Sequence, residues 1–287
     1  VSPEQFIGWL EQKSQPDVHA YFRKPLIMGI LNVTSDSFFD GGHYLSMDRA
    51  CEHAFNLIAQ GADIIDIGGE STKPGAVQVP LDVELSRIVP VIEHIRKNSD
   101  VCISIDTSKP QVMSAAVHAG ANIINDVYAL KRDGALATAA QLGVPVCLMH
   151  MQGEPNTMQN HPFYPDGVMS ELMHFFYERI NACEQAGIKR NRLIIDPGFG
   201  FGKLVEHNLS LMSKLNELNE FDLPVLLGIS RKSTIGAVLG KEVEQRLIGS
   251  ITLTVYAALK GVGIIRTHDV DETNQALLMV DAVNQTR

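Results

Sequence analysis

Long apolar runs are missing from this 287-residue chain, and none approaches the roughly 20 residues that a membrane-crossing helix needs. Residues 1–24 lack the basic-then-apolar layout of an export signal, so a cytoplasmic location is expected. Cysteine is scarce. Cys51, Cys102, Cys147 and Cys183 form no C-x-x-C pair and have no His-rich neighbourhood, and they read as reduced, buried packing residues. An excess of positive charge is absent as well. With 24 Lys and Arg against 33 Asp and Glu, the net charge is −9, which argues against nucleic acid or an anionic membrane as a general partner. An anionic substrate then requires bases concentrated in one place. There is no H-E-x-x-H and no Cys/His cluster. A magnesium ion held by one protein oxygen plus substrate phosphates would leave almost no trace in the sequence.

What is present is a regular alternation. Short β-rich runs at 26–31, 64–68, 102–106, 122–126, 144–149, 192–196, 225–229 and 263–267 are separated by stretches of helical period. Most of these runs are continuously apolar, as expected of parallel strands covered on both faces. After the fifth run, Met169, Leu172, Met173, Phe176, Ile180 and Cys183 follow i, i+3, i+4 spacing, with Gly187 as a stop. A helix over 46–60 is expected to open on Ser46, and Ser108 before Lys109-Pro110 marks another that Gly120 closes. Eight β-α alternations without a composition break predict a (β/α)8 TIM barrel of the α/β class over 26–287. An open doubly wound sheet would carry Gly-x-Gly-x-x-Gly after its first strand. Asn32-Val33-Thr34-Ser35-Asp36-Ser37 stands there instead, and Gly198-Phe199-Gly200-Phe201-Gly202 has the wrong spacing and follows the sixth strand. Residues 1–25 form an N-terminal extension with a short helix over 3–12, which either plugs the barrel floor or belongs to a longer parent chain.

Barrel enzymes place their chemistry at the C-terminal ends of the strands. Here those ends carry Asn32, Asp66, Asp106, Asn125-Asp126, Asp196, Lys232, Arg266 and His268. A single Asp at such a position could simply cap a helix or bind loop amides. Several at one rim, with the bases gathered elsewhere, point to a two-part ligand. The carboxylates and Asn125 suit a polar heterocycle with several N–H donors, because ionised carboxylates only accept hydrogen bonds. Lys232, Arg266 and His268 follow the seventh and eighth strands, where barrels often bind phosphate, and Ser230 and Ser233 flank Arg231-Lys232. Arg231 and Lys232 could also be a solvated charge pair, and His268 alone a structural histidine. The segments 32–43 and 69–79 are rich in Gly, Ser and Asp and longer than ordinary connections, as expected of active-rim loops that move.

Seven segments then resemble the dihydropteroate synthases. They are Met28-Gly-Ile-Leu-Asn-Val-Thr-Ser-Asp-Ser-Phe38, Asp66-Ile-Gly-Gly-Glu-Ser-Thr-Lys-Pro-Gly75, Ser104-Ile-Asp-Thr-Ser-Lys-Pro110, Asn122-Ile-Ile-Asn-Asp126, Asp196-Pro-Gly-Phe-Gly-Phe-Gly-Lys203, Gly228-Ile-Ser-Arg-Lys-Ser233 and Arg266-Thr-His-Asp269. They fall in family order over about residues 25 to 285. The resemblance implies a transferase of folate biosynthesis that condenses 6-hydroxymethyl-7,8-dihydropterin pyrophosphate with p-aminobenzoate. It implies a sulfonamide target, usually a homodimer, whose interface lies on the helices after the sixth and seventh strands. By resemblance, Asp106, Asn125, Asp196 and Lys232 recognise the pterin, with Met149 and Phe201 enclosing the ring. Asn32, Thr72, Arg266 and His268 hold the pyrophosphate, Asn32 is also a ligand of Mg2+, and Phe38, Pro74 and Ser233 shape the p-aminobenzoate pocket. The implied catalytic set is Asn32, Asp36, Lys232, Arg266 and His268. Ser35, Phe39 and Lys73 depart from the family pattern, where Pro, Ser and Arg are usual. Lysine brings charge without the planar fork of arginine. Two rival readings are a pterin-binding methyltransferase and a non-catalytic pterin-binding barrel, neither of which would need Asn32, Thr72, Arg266 and His268 together.

Overall fold

The structure, a computed structural model, describes residues 1–13, 23–33, 42–71, 76, 78–154, 157–158 and 162–286, with the side chains of 42–46 left aside. Eight parallel strands run in the order β6-β5-β4-β3-β2-β1-β8-β7. They are β1 (Leu26–Asn32), β2 (Ile64–Gly68), β3 (Cys102–Asp106), β4 (Ile123–Asp126), β5 (Val146–Met149), β6 (Leu193–Asp196), β7 (Leu226–Gly228) and β8 (Ile264–Thr267). A parallel bridge between Ile195 and Val225 joins β6 to β7 and closes the ring. Among the described residues the intervening helices are α2 (Gly42–Ala59), α3 (Leu81–Asn98), α4 (Pro110–Ala119), α5 (Ala135–Leu142), α6 (Val168–Gln185), α7 (Val205–Ser213), α8 (Ser233–Leu239), α9 (Leu247–Leu259) and α10 (Val270–Asn284), preceded by α1 (Pro3–Lys13). This is the expected (β/α)8 barrel. None of the described helices is long and apolar enough to cross a membrane.

Strand alternation divides the core into two. Ile27, Leu31, Ile65, Ile67, Ile103, Ile105, Ile124, Leu148, Ile195 and Leu227 face the helices in one cluster. Met28, Ile64, Cys102, Ile123, Cys147, Ile194, Leu226 and Ile264 fill the lower lumen in another. Period-2 geometry therefore sends Asp66, Ser104, Asp106, Asn125, Asp196 and Arg266, each an even step further along its strand, into the upper lumen. The α1 helix supplies Phe6 and Leu10 to the lower cluster, both at most 1% exposed, and so lies across the barrel floor.

Several boundaries differ from the sequence reading. The α2 helix starts at Gly42, so Ser46 lies inside it and is not the capping residue. Lys109, not Ser108, holds the N-cap position of α4, without a side-chain cap bond. Gly120 and Gly187 both take positive φ and end their helices as expected. The strand reading over 122–126 begins one residue early, because Asn122 uses its side chain as an acceptor for Ile103 N at 3.0 Å and Arg96 Nη2 at 2.7 Å. Likewise Arg192 closes a short 3-10 turn before β6.

Candidate active site

The row of residues where the strands end is set by register. Asn32 stands opposite Gly68, Gly68 opposite Asp106, and Asp106 opposite Asn125. A Cβ built on Gly68 would be in ordinary contact, 3.8 Å from both Asn32 Oδ1 and Asp106 Oδ2, so these two oxygens flank one point. Across the lumen Arg266 reaches back from β8. Its Nε donates to Asp66 Oδ2 at 2.6 Å and its Nη2 to Asp106 Oδ2 at 2.8 Å. Asn125 Nδ2 also donates to Asp66 Oδ2 at 3.2 Å, which turns the amide oxygen of Asn125 away as an acceptor. Asp66 is fully buried and Asp106 nearly so. Burial pushes the Asp106 carboxyl above the usual carboxylate range, with Arg266 acting against it and the Asp66 charge adding to it.

The opposite wall is built by the turn after β6. Gly198, Gly200 and Gly202 all adopt positive φ, and a Cβ on Gly198 would lie 1.8 Å from the His150 carbonyl oxygen. The glycines thus serve close backbone approach rather than nucleotide binding. Gly198 N donates to Asp196 Oδ1 at 2.7 Å, fixing the carboxylate, which burial shifts upward against the pull of Lys232. Lys232, at the N-cap of α8, donates to the Phe199 carbonyl and holds its ammonium 4.4 Å from the centre of the Phe201 ring. Burial brings Lys232 down to about 7, with Asp196 opposing and Arg266 adding to the shift. An anion or a ring acceptor placed here would hold it charged. Behind this wall Lys203 is only 3% exposed and is likewise pulled down to about 7 by burial.

The remaining bases divide. Arg231 makes a bidentate pair with Asp269, Nε to Oδ2 at 3.0 Å and Nη2 to Oδ1 at 2.5 Å. His268 is exposed just beyond β8, and its Nδ1 lies 3.0 Å from Ser230 Oγ. Ser233 is the exposed first residue of α8, while Met149 ends β5 and is buried. Asp126 follows the structural alternative. It accepts from Tyr128 N at 2.9 Å and Leu130 N at 2.8 Å, tying down its own loop. Asp36, Phe38, Thr72 and Pro74, with the departures Ser35, Phe39 and Lys73, lie outside the described residues. At the stem of the second loop, Lys109 bonds Glu70, Glu84 and the Val79 carbonyl, and Thr107 Oγ1 donates to Glu84 at 2.7 Å. A polar pocket of about 140 Å3 opens there beside Asp106, lined by Ser108, Tyr128, Arg132 and Glu154 among others.

The lumen therefore presents acceptors on both sides of a slot, an aromatic face at Phe201 and cations at its mouth. A protein family described as pterin binding enzymes matches residues 28–268. The dihydropteroate synthase of Escherichia coli strain K12 is 52% identical over 258 residues, covering 90% of this chain and 91% of that one. The chain belongs to the dihydropteroate synthase family of pterin-binding enzymes. Two solved dihydropteroate synthases superpose closely. One from Yersinia pestis, in complex with a sulfonamide drug, has a TM-score of 0.87 at 50% identity, covering 91% of this chain and 95% of that one. One from Xanthomonas albilineans, with 4-aminobenzoic acid, has a TM-score of 0.85 at 49% identity, covering 91% and 93%.

As a dihydropteroate synthase family member, the chain brings together Asp106, Asn125, Asp196, Lys232, Met149, Phe201 and Arg266 at one end of its barrel, with Asn32 beside Asp106 and His268 at the rim. Asp66, expected among the ligand-facing carboxylates at the strand ends, instead sits two residues before the end of β2 and orders Arg266 and Asn125. Two residues around this dihydropteroate synthase-type site had no assigned role in the sequence reading. His150 and Lys203 form a buried pair whose burial no local pattern announces.

Proposed function

We infer that this protein catalyses the dihydropteroate synthase reaction of folate biosynthesis. The methylene carbon of 6-hydroxymethyl-7,8-dihydropterin pyrophosphate loses its C–O bond to pyrophosphate and gains a C–N bond to p-aminobenzoate, whose amine releases a proton. The observation that carries this reading is the meeting of Asp106, Asn125 and Asp196 with Lys232 and Arg266 in one lumen, in a chain half identical to an enzyme of that name over nine-tenths of its length. A methyltransferase or an inert pterin-binding barrel would not need the cations at the mouth.

Asp196 accepts from the N–H donors of the pterin ring with one oxygen already anchored by Gly198. The Asn125 amide, oriented by Asp66, presents its oxygen to the same ring, and Phe201 covers a face. Arg266 fixes the carboxylates with two of its five N–H groups and keeps others for the leaving pyrophosphate, to which His268 adds a donor at the rim. A neutral arylamine is already nucleophilic, so the site needs no strong base. Its task is to neutralise the leaving group, and departure of pyrophosphate leads the displacement. Among the described residues no three His, Cys, Asp or Glu side chains are placed to hold a metal. Asn32 Oδ1, 3.8 Å from where a Gly68 Cβ would lie, is nonetheless a hard oxygen donor of the kind Mg2+ takes. Bound there through Asn32, Mg2+ would supply Lewis-acid neutralisation of the pyrophosphate.

We further propose a cytoplasmic homodimer open to sulfonamides at the p-aminobenzoate position. All four cysteines are unpaired and buried, as suits a reducing compartment. Leu209, Val238, Leu239, Ile248 and Leu259 are exposed on the helices after β6 and β7, an apolar surface that a second copy would cover. The deciding experiment follows pyrophosphate release from the pterin pyrophosphate. Release is expected only when p-aminobenzoate and Mg2+ are both present, and release indifferent to the arylamine would overturn the reading.

A further inference from the structure

The buried ammonium of Lys203 has no part in the chemistry just described, yet the arrangement around it is complete. Its Nζ lies 2.9 Å from His150 Nδ1, 3.0 Å from the Gly198 carbonyl oxygen and 3.1 Å from the Phe201 carbonyl oxygen. In its protonated form the lysine has three N–H donors, and here three acceptors meet it. For Nδ1 to accept, His150 must be neutral with its proton on Nε2. Burial and the Lys203 charge hold its pKa well below the usual histidine value, and its Nε2 side faces Glu171 at 4.0 Å. Lysine and histidine together are 3% and 2% exposed.

Two of those acceptors belong to residues that shape the pterin slot. The Gly198 peptide is gripped at both ends: its carbonyl takes the Lys203 bond, and its N–H donates to Asp196 Oδ1 at 2.7 Å. The Phe201 carbonyl is the backbone of the residue whose ring faces Lys232. His150 is tied to the same turn, because its N–H donates to the Asp196 carbonyl at 2.9 Å and its own carbonyl sits where a Gly198 Cβ would be. With three glycines at positive φ, the turn is conformationally permissive and requires an external hold. We propose that Lys203, seated on neutral His150, is a positioning residue for pterin recognition, acting through the Gly198 peptide on Asp196 and through the Phe201 backbone on the ring wall. Fixing a recognition group by a buried partner one bond removed is a general requirement of tight sites.

The inference rests on the pterin-binding reading, so the experiment separates the two. Binding of 6-hydroxymethylpterin is measured by calorimetry in the intact protein, in Lys203→Met, in Asp196→Asn and in the double variant, with circular dichroism confirming fold. Failure of the unmodified protein to bind would overturn the pterin reading itself. If it binds, Lys203→Met is expected to weaken binding by roughly tenfold or more, about 1.4 kcal/mol. The KM for p-aminobenzoate should stay within about threefold, and in the Asp196→Asn background the loss should largely vanish, since contacting groups are non-additive. Lys203→Gln, which keeps two donors, should recover part of the affinity and serves if the methionine variant does not fold. Unchanged pterin affinity, an equal loss in both backgrounds, or loss of fold in both Lys203 variants would make the lysine merely structural and overturn the proposal.

Discussion

Replacing Arg266 by methionine tests the electrostatic frame of the lumen. The guanidinium spans two carboxylates, one fully buried and one nearly so, and no other Arg or Lys bonds either of them among the described residues. Methionine keeps apolar bulk and removes both ion pairs. Breaking a buried pair by removing one partner typically costs about 3–5 kcal/mol, because the remaining charge is left uncompensated. The Arg266 side chain is 19% exposed at the open end, so the lower figure, about 3 kcal/mol, is the better expectation. Against a total of about 5–15 kcal/mol for a folded protein, that is a large share. The deficit should depend on pH with a definite sign. An unpaired buried carboxylate has a folded pKa above its unfolded value, so the folded state binds more protons in the interval between them. The deficit is then absent below the unfolded value, near 4, and grows as pH rises through that interval. Urea unfolding followed by circular dichroism at pH 4.5 and 7.5 measures it, with Asp66→Asn added to Arg266→Met as a partial rescue. A deficit under about 1 kcal/mol at pH 7.5, or one of equal size at both pH values, would refute the claim that Arg266 neutralises the lumen.

Asp196→Asn should cost about 1–3 kcal/mol in pterin binding, because an amide donor would face ring donors; calorimetry showing unchanged affinity would remove Asp196 from the site. Lys203 and Lys232 release their protons near pH 7 in the folded state but keep them to about 10.5 when unfolded. Their stability penalty is therefore complete below pH 7 and is relieved as pH rises from about 7 to 8.5, before the cysteines that burial shifts upward begin to oppose it. Lys232→Met should flatten that rise in ligand-free urea titrations, and an identical slope in the variant would count against a depressed Lys232. Finally, p-aminobenzoate should bind weakly to the free protein and measurably once Mg2+, pyrophosphate and a pterin are present. Equal affinity in the two titrations would show a preformed pocket.

Much of this was legible because burial on both faces of a parallel strand leaves a strong signature. All eight strands could be located from apolar runs, and the carboxylates that close β3 and β6 stood out against them. Strand starts were less legible, since Asn122 and Arg192 adjoin their strands but spend their bonding on side-chain and turn contacts. The division of labour among the bases was hidden altogether. Arg231 and Lys232 are neighbours in sequence, yet one turns outward to Asp269 and the other inward to the Phe201 ring, with a positive φ at Arg231 making the turn. Asp126 looked as functional as Asp106, and only its two loop amides show it to be a structural anchor. Lys203 followed a glycine-rich run like any surface lysine, because nothing local records that His150 lies beneath it.

The helix laid across the floor has a consequence for traffic. With Phe6 and Leu10 packed into the lower lumen, the described residues leave the barrel open at its other end alone. Whatever binds on Asp106, Asn125 and Asp196 sits deeper than whatever binds at the rim, and one doorway serves both. Such a vessel behaves as a stack, in which the first molecule in is the last out. A compound seated at the mouth can therefore act by imprisoning the molecule beneath it, and its potency will be read in how slowly the deeper ligand escapes as much as in how tightly the compound itself is held.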